Sequence, residues 1–269
     1  MGRCPGERKN NMPSYTKHKE VAPRRDPWYS QAEDNLVREE YRNRRKKVSV
    51  IIPTRNEEAG IADIINYCRP YADELLVIDG HSTDRTRTIA AGLGAWVVLD
   101  SGKGKGAAIR QAIGEVNNDI IVFIDADYSH FPDDIPRLVV PILRGEADHV
   151  VGSRPRGGSD ELHGDFNKFM RMIGSDIITL GINYRFGVRL SESQNGFRAI
   201  KTEVIRELGL KENITTIEQE MTIKTLRHGF RIMEVPTHEY KRRFGESNIK
   251  LRRVFFRYVF SWLKYMFLG

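Results

Sequence analysis

The chain has 269 residues, a formal net charge of +7 and 40% hydrophobic residues. That is enough to bury a sizeable core in one large domain with appendages, and the basic balance favours anionic partners such as nucleotides or phospholipid surfaces. Two cysteines, Cys4 and Cys68, exclude a disulfide framework and a zinc pattern and suit a reducing cytosol, and the segment from Met1 to Met12 has no apolar core of the kind a signal peptide carries.

Residues 1–47 are polar, charged and punctuated by Pro5, Pro13, Pro23 and Pro27. They are expected to form a largely flexible extension, with one helix between Pro27 and Arg45 held by Trp28, Leu36, Val37 and Tyr41. From Val48 the pattern alternates. Strands are predicted at Val48–Ile52, Glu74–Ile78, Ala95–Val98 and Ile120–Ile124, and helices at Glu58–Tyr71, Thr83–Leu93 and Lys105–Val116. Strands alternating with helices of this length imply an α/β fold with a parallel sheet and right-handed crossovers. Further helices are predicted at Pro132–Leu143, Phe166–Phe186 and Ile217–His228. Further strands are predicted at His149–Ser153, within Ser191–Ile200, and at Phe230–Pro236. The domain bounds are 48–250, followed by an aromatic and basic segment, 251–269.

Four strand ends collect polar residues. The first runs into Pro53-Thr54-Arg55-Asn56-Glu57-Glu58 and the second into Asp79-Gly80-His81-Ser82-Thr83-Asp84. The third precedes Gly102-Lys103-Gly104-Lys105-Gly106, and the fourth carries Asp125-Ala126-Asp127. Each has an ordinary explanation alone: Thr83 or Ser82 as an N-cap, Lys103 and Lys105 in a surface loop, two acids in solvent. In one parallel sheet, however, strand C-termini share a rim, which is where open α/β sheets bind ligands. A glycine-lysine loop entering a helix suits an anion. Two neighbouring carboxylates repel and favour a divalent cation, Mg²⁺ or Mn²⁺, which also holds substrate phosphates. Together they describe a nucleoside-diphosphate pocket.

The order of these motifs resembles the nucleotide-sugar half of glycosyltransferase family 2, with its GT-A fold, a mostly parallel central sheet flanked by helices. Downstream, Asp125 to Pro132, Gly152-Ser153-Arg154 with Gly157-Gly158-Ser159, Asn195-Gly196-Phe197-Arg198-Ala199, Glu218-Gln219-Glu220-Met221, Glu234-Val235-Pro236 and Arg242-Arg243-Phe244-Gly245-Glu246-Ser247 resemble dolichyl- or polyprenyl-phosphate sugar synthases. The resemblance covers residues 48 to about 250. It implies an inverting, metal-dependent transferase moving a sugar from a nucleoside-diphosphate sugar, GDP-mannose favoured, to a dolichyl or polyprenyl phosphate. UDP-glucose, UDP-N-acetylglucosamine or a small soluble acceptor are the alternatives. Residue by residue it implies that Pro53, Glu57 and Asp79 line the nucleoside site and that Lys105 lies by the donor. Asp125 and Asp127 would bridge the metal, with Ser129 where some members have a further ligand. Arg154 and Ser159 would face the donor diphosphate or the acceptor phosphate, and Arg198, Arg242 and Ser247 the acceptor phosphate. Asp127, Arg154 and Arg242 are the catalytic candidates. The family's paired acids at the second strand end are here Asp79 and Gly80, and the branch's frequent Asp is here Glu192, so donor choice stays open.

Ordinary alternatives stand beside these roles: a structural salt bridge for Arg198, membrane-surface charge for Arg242, and loop or capping roles for His81 and His130. Residues Val254 to Leu268 are too short to span a bilayer, for which about 20 apolar residues are needed. They suit an interfacial helix, a helix packed on the domain, or a docking surface for a small membrane subunit. The expected location is the cytoplasmic face of a membrane, held peripherally. A nucleotidyltransferase is disfavoured because its glycine-rich signature is absent after the first strand. A non-catalytic nucleotide-binding module remains as a rival, and nucleic-acid binding rests on charge alone.

Overall fold

A computed structural model describes residues 30–160, 166–242 and 251–268. Its centre is a seven-stranded sheet in the order β3-β2-β1-β4-β6-β5-β7. The strands are β1 (Val48–Thr54), β2 (Glu74–Asp79), β3 (Trp96–Leu99), β4 (Ile120–Phe123), β5 (His149–Ser153), β6 (Arg198–Lys201) and β7 (Ile232–Pro236). The central strands are continuous apolar runs because both faces are covered. Side chains alternate between the faces. Val50 and Ile52 pack with Ile61, Ile64 and Ile65 of α2 (Ile61–Cys68) and with Leu138 and Val139 of α5 (Ile135–Leu143). Ile51 points the other way, onto Ile109 of α4 (Lys105–Glu115) and Met221 of α9 (Ile217–Arg227). Each fully buried Ile contributes about 1.5–3 kcal/mol. The short helices α3 (Thr86–Gly92) and α8 (Thr202–Glu207) complete the flanking layers.

Among the described strands, β6 alone runs against its neighbours, antiparallel to both β4 and β5. The remaining pairs are parallel. The mostly parallel α/β sheet expected from the sequence is therefore present, with one inverted strand. The inversion has a positional consequence: Phe123 at the end of β4 pairs with Arg198 at the start of β6. The loop entering β6 therefore shares a rim with the loops leaving β1, β2, β4 and β5.

Residues 1–29 of the expected flexible extension lie outside the described residues. The predicted Pro27–Arg45 helix is α1 (Gln31–Arg42), opened by a Ser30–Glu33 capping box. It docks on α5 through Arg137–Asp34 at 3.0 Å and Arg144–Glu40 at 2.7 Å, and buries Tyr41. Beyond β5 come the single turn α6 (Arg154–Gly157) and the long helix α7 (Phe166–Phe186). The carboxyl segment forms α10 (Leu251–Leu263), ending in a wider turn over Lys264–Leu268. Tyr265 and Met266 there pack against Ile178 and Ile182 of α7 and Ile223 of α9. One face of the carboxyl segment is thus covered by the domain. No helix among the described residues is long and apolar enough to cross a membrane.

Candidate active site

The rim divides into two halves around β4. On the β1–β2 side the loops are laced together: the Asn56 amide donates to Ser82 Oγ at 2.8 Å, and the Thr83 amide to Asn56 Oδ1 at 2.8 Å. Asn56 adopts φ 57° and His81 φ 61°, left-handed conformations that are unusual for residues other than glycine. Asp79 is wholly buried and accepts from the Ser82 amide at 2.9 Å and its hydroxyl at 2.5 Å. It organises the loop from within. His81 Nε2 lies 3.2 Å from Asp100 Oδ1, tying this loop to the one after β3. Glu57 is half-buried; burial first, and then the charge of Asp127, pushes its carboxyl up to about 7.

At the centre, Asp125 and Asp127 follow β4. Lys105, the first residue of α4, places Nζ 2.7 Å from Asp125 Oδ1 and 3.1 Å from Glu218. Burial alone would raise the Asp125 pKa and lower that of Lys105; their mutual attraction outweighs it in both, so both stay charged. Gly196 makes room for this pair, since a Cβ there would sit 3.2 Å from Asp125 Oδ2 and 3.3 Å from Lys105 Nζ. Asp127 is buried, with Oδ1 accepting the Ser129 amide at 3.0 Å and Oδ2 facing Arg242 at 2.9 Å. The Ser129 carbonyl accepts from the Tyr240 amide at 2.9 Å, which draws the segment after β7 across the rim. Pro53, Lys105, Asp125, Arg198, Glu218 and Met221 line a small cavity beneath.

On the β5–β7 side, Arg154 lies 2.6 Å from Glu192 and 3.1 Å from Glu239, and the Ser159 hydroxyl also donates to Glu239. His130 is buried and stacks on Phe197 with centroids 5.0 Å apart; burial lowers its pKa and keeps it neutral. Strands β2 and β5 are four spacings apart, roughly 19 Å. Ser159 and Arg154 both contact Glu239, so Ser159 sits with Arg154 and not with the β1–β2 loops.

Two expectations change. Arg198 was expected at a phosphate, but it is 1% exposed. Its guanidinium donates to the carbonyls of Asn195 and Glu218, the latter at 2.9 Å, so it holds α9 against β6. Burial pushes its pKa down to about 10, still charged at neutral pH. Secondly, the acids of the Asp125–Asp127 pair are not uncompensated, since each faces a basic side chain. Ser247 lies outside the described residues. Glu192 stood out only as a departure bearing on donor choice, Glu218 fell within a recognised motif without a role, and Glu239, three residues after Glu234-Val235-Pro236, carried no signal. Its position follows from a bridge between Ser159 and Glu239 that joins distant segments.

The family model for glycosyl transferase family 2 matches residues 49–209, more than half of the chain. The chain belongs to glycosyl transferase family 2. This family 2 transferase is 34% identical over 205 residues to glycosyltransferase AglJ of Haloferax volcanii, covering 74% of this chain and 65% of that protein. It is 29% identical over 232 residues to a dolichol-phosphate mannosyltransferase of Pyrococcus furiosus, covering 81% of this chain and 64% of that protein. The chain thus spans somewhat under two thirds of these curated relatives' length. Its fold is similar to that of glucosyl-3-phosphoglycerate synthase from Mycobacterium tuberculosis in complex with Mg²⁺ and uridine diphosphate. That structure gives a TM-score of 0.67 at 23% identity and covers 90% of this chain and 85% of that one.

A divalent cation is compatible with the transferase's rim. No three acids or histidines among the described residues are grouped to hold a metal unaided. Mg²⁺ needs only one or two carboxylates when substrate phosphates supply other ligands. Asp125 and Asp127 fit that donor set; burial first, and then repulsion from Asp127, raise the Glu57 carboxyl, and a cation would relieve the second of these.

Proposed function

We propose that this glycosyltransferase moves a hexose, mannose from GDP-mannose favoured, onto a dolichyl or polyprenyl phosphate with inversion at the anomeric carbon. The observation that carries this is the central Asp125–Asp127 pair, set with Lys105 and Arg242 between the Asn56–Asp79–Ser82 loops and the Arg154 side. The donor's nucleoside would lie on the first side and its diphosphate at the centre. A Mg²⁺ or Mn²⁺ ion held by Asp125 and Asp127 would neutralise the leaving diphosphate. The fold neighbour was solved with such an ion and uridine diphosphate, which supports this.

An acceptor phosphate has its second pKa near 6 and is largely dianionic at neutral pH. It needs no strong general base, only relief of repulsion from an anionic donor. Arg242, 39% exposed beside Asp127, is suited to that, and arginine gives bidentate phosphate contacts. Arg154, clamped by Glu192 and Glu239, has its charge already balanced and contributes shape to that side of the rim.

A lipid acceptor is further supported by the surface. Phe256, Phe260, Leu263 and Phe267 of the carboxyl segment and Ile177, Leu180 and Tyr184 of α7 are exposed large apolar side chains on two packed helices. Arg257 and Arg185 are exposed beside them. This combination suits peripheral attachment to an anionic cytoplasmic leaflet. The relative named as a dolichol-phosphate mannosyltransferase points the same way.

The test supplies radiolabelled GDP-mannose, UDP-glucose and UDP-N-acetylglucosamine with Mg²⁺ or Mn²⁺ and either polyprenyl phosphate or 3-phosphoglycerate. Label from GDP-mannose partitioning into organic solvent only with polyprenyl phosphate is expected, and Asp127→Ala should abolish it without lowering the melting temperature. Water-soluble product from phosphoglycerate alone would overturn the lipid assignment.

A further inference from the structure

The two carboxylates at the centre of the rim each carry a basic side chain, but the two pairs are built differently. Lys105 is confined. Its ammonium contacts both oxygens of Asp125, at 2.7 and 3.0 Å, and also Glu218 at 3.1 Å, with the Gly196 backbone packed close behind. Its root is fixed as well: the amides of Gly106 and Ala107 both donate to the Asn213 carbonyl. Arg242 has a fixed root and a partly exposed tip. Two residues before it, the Tyr240 amide is anchored on the Ser129 carbonyl at 2.9 Å, and the Tyr240 ring packs on Phe131 at 4.6 Å. Its guanidinium, 39% exposed, reaches Asp127 Oδ2 from the solvent side.

Asp127 is the acid with the less confined basic partner; its Oδ1 accepts the Ser129 amide and its Oδ2 is occupied by Arg242. A divalent cation and a guanidinium cannot share one carboxylate oxygen without strong repulsion. A diphosphate changes the balance, because it brings negative charge for the cation and a bidentate partner for arginine.

We infer that Arg242 is a resident counter-ion that keeps divalent cations off Asp127 until a diphosphate offers it another partner. Cation and nucleotide therefore load together rather than cation first, and the exchange frees Arg242 for phosphate only once the donor is present. This rests on the metal assignment proposed above and adds an order of events to it.

The experiment measures Mn²⁺ affinity of the full chain by the electron paramagnetic resonance signal of free Mn²⁺, alone and with saturating GDP or UDP. Wild-type protein is expected to bind Mn²⁺ weakly alone and more tightly with the nucleoside diphosphate. Arg242→Gln should bind Mn²⁺ alone about fivefold more tightly, the upper range for releasing one half-exposed ion pair. The gain that nucleotide confers should shrink accordingly, and Arg242→Lys should lie between the two. Unchanged or weaker Mn²⁺ binding by Arg242→Gln, with wild type still binding Mn²⁺ alongside nucleotide, overturns the inference and leaves the metal assignment standing. A wild-type protein that takes no Mn²⁺ with either nucleotide overturns both.

Discussion

Arg198 donates to the main-chain carbonyls of Asn195 and Glu218, and it is the largest of the fully buried side chains among the described residues. Arg198→Met removes the guanidinium donors from both carbonyls, leaving Glu218 the Thr222 hydroxyl at 3.2 Å, and should destabilise the fold by about 3 kcal/mol. Urea unfolding would register that loss. A normal unfolding midpoint combined with a raised KM for lipid phosphate would instead restore Arg198 to the acceptor site. At this scale the sequence reveals residue type and motif but not exposure. Asn195-Gly196-Phe197-Arg198 is equally readable whether its arginine faces a phosphate or the underside of α9. Lys105, Asp125 and Asp127 were legible because a strand end and a glycine loop dictate where they stand. Glu239 was not, because its role depends on a pairing across some 80 residues with Ser159.

Individual elements follow the hydrophobic period closely where they are long and buried: β5 and α7 coincide with their predicted spans. The direction of β6 is a different matter. Four residues, Arg198–Lys201, alternate or fail to alternate in the same way whichever way the strand runs. Its orientation comes from the path of residues 154–197, which leave the rim and return to it. Beside β6 lies a buried histidine on β5. His149 is fully buried, with Nδ1 3.0 Å from Thr225 Oγ1 and Nε2 lacking a hydrogen-bond partner among the described residues. Burial, and then the charge of Arg198, holds its pKa well below the ordinary value of 6.5. Below pH 6.5 the unfolded chain takes up a proton that the native state refuses, so stability is present above that pH and is lost as pH falls. The contribution to the slope approaches about 1.4 kcal/mol per pH unit. Denaturant unfolding of wild type and His149→Gln between pH 5 and 8 checks this. The variant should show the flatter dependence, and parallel curves would count against it.

For the molecule as a whole, the sequence left the carboxyl end open between an interfacial helix and one packed on the domain, and the structure divides it into two faces. Tyr265 and Met266 are covered, while Phe256, Phe260 and Phe267 are 75%, 69% and 67% exposed. Which face is covered depends on α7, far away in sequence, so periodicity within the segment could not tell. Phe256→Ser with Phe260→Ser removes two side chains that each gain about 1.5–3 kcal/mol when buried. The pair should weaken binding to phosphatidylserine vesicles by at least about tenfold, leaving thermal unfolding nearly unchanged, because neither ring is in the core. Unaltered sedimentation with vesicles would remove this face from membrane attachment. The inverted strand has a consequence of a different kind. Antiparallel neighbours such as β5 and β6 can be joined by a two-residue turn, whereas parallel ones cannot. The sheet itself therefore asks almost nothing of residues 154–197, yet both ends of that stretch open onto the reaction centre. Its length and course are therefore set by what it packs against, Ile178 and Ile182 in the core and Gly196 against Asp125, and not by strand pairing. A change of length within that stretch can leave the register of all seven strands as it is.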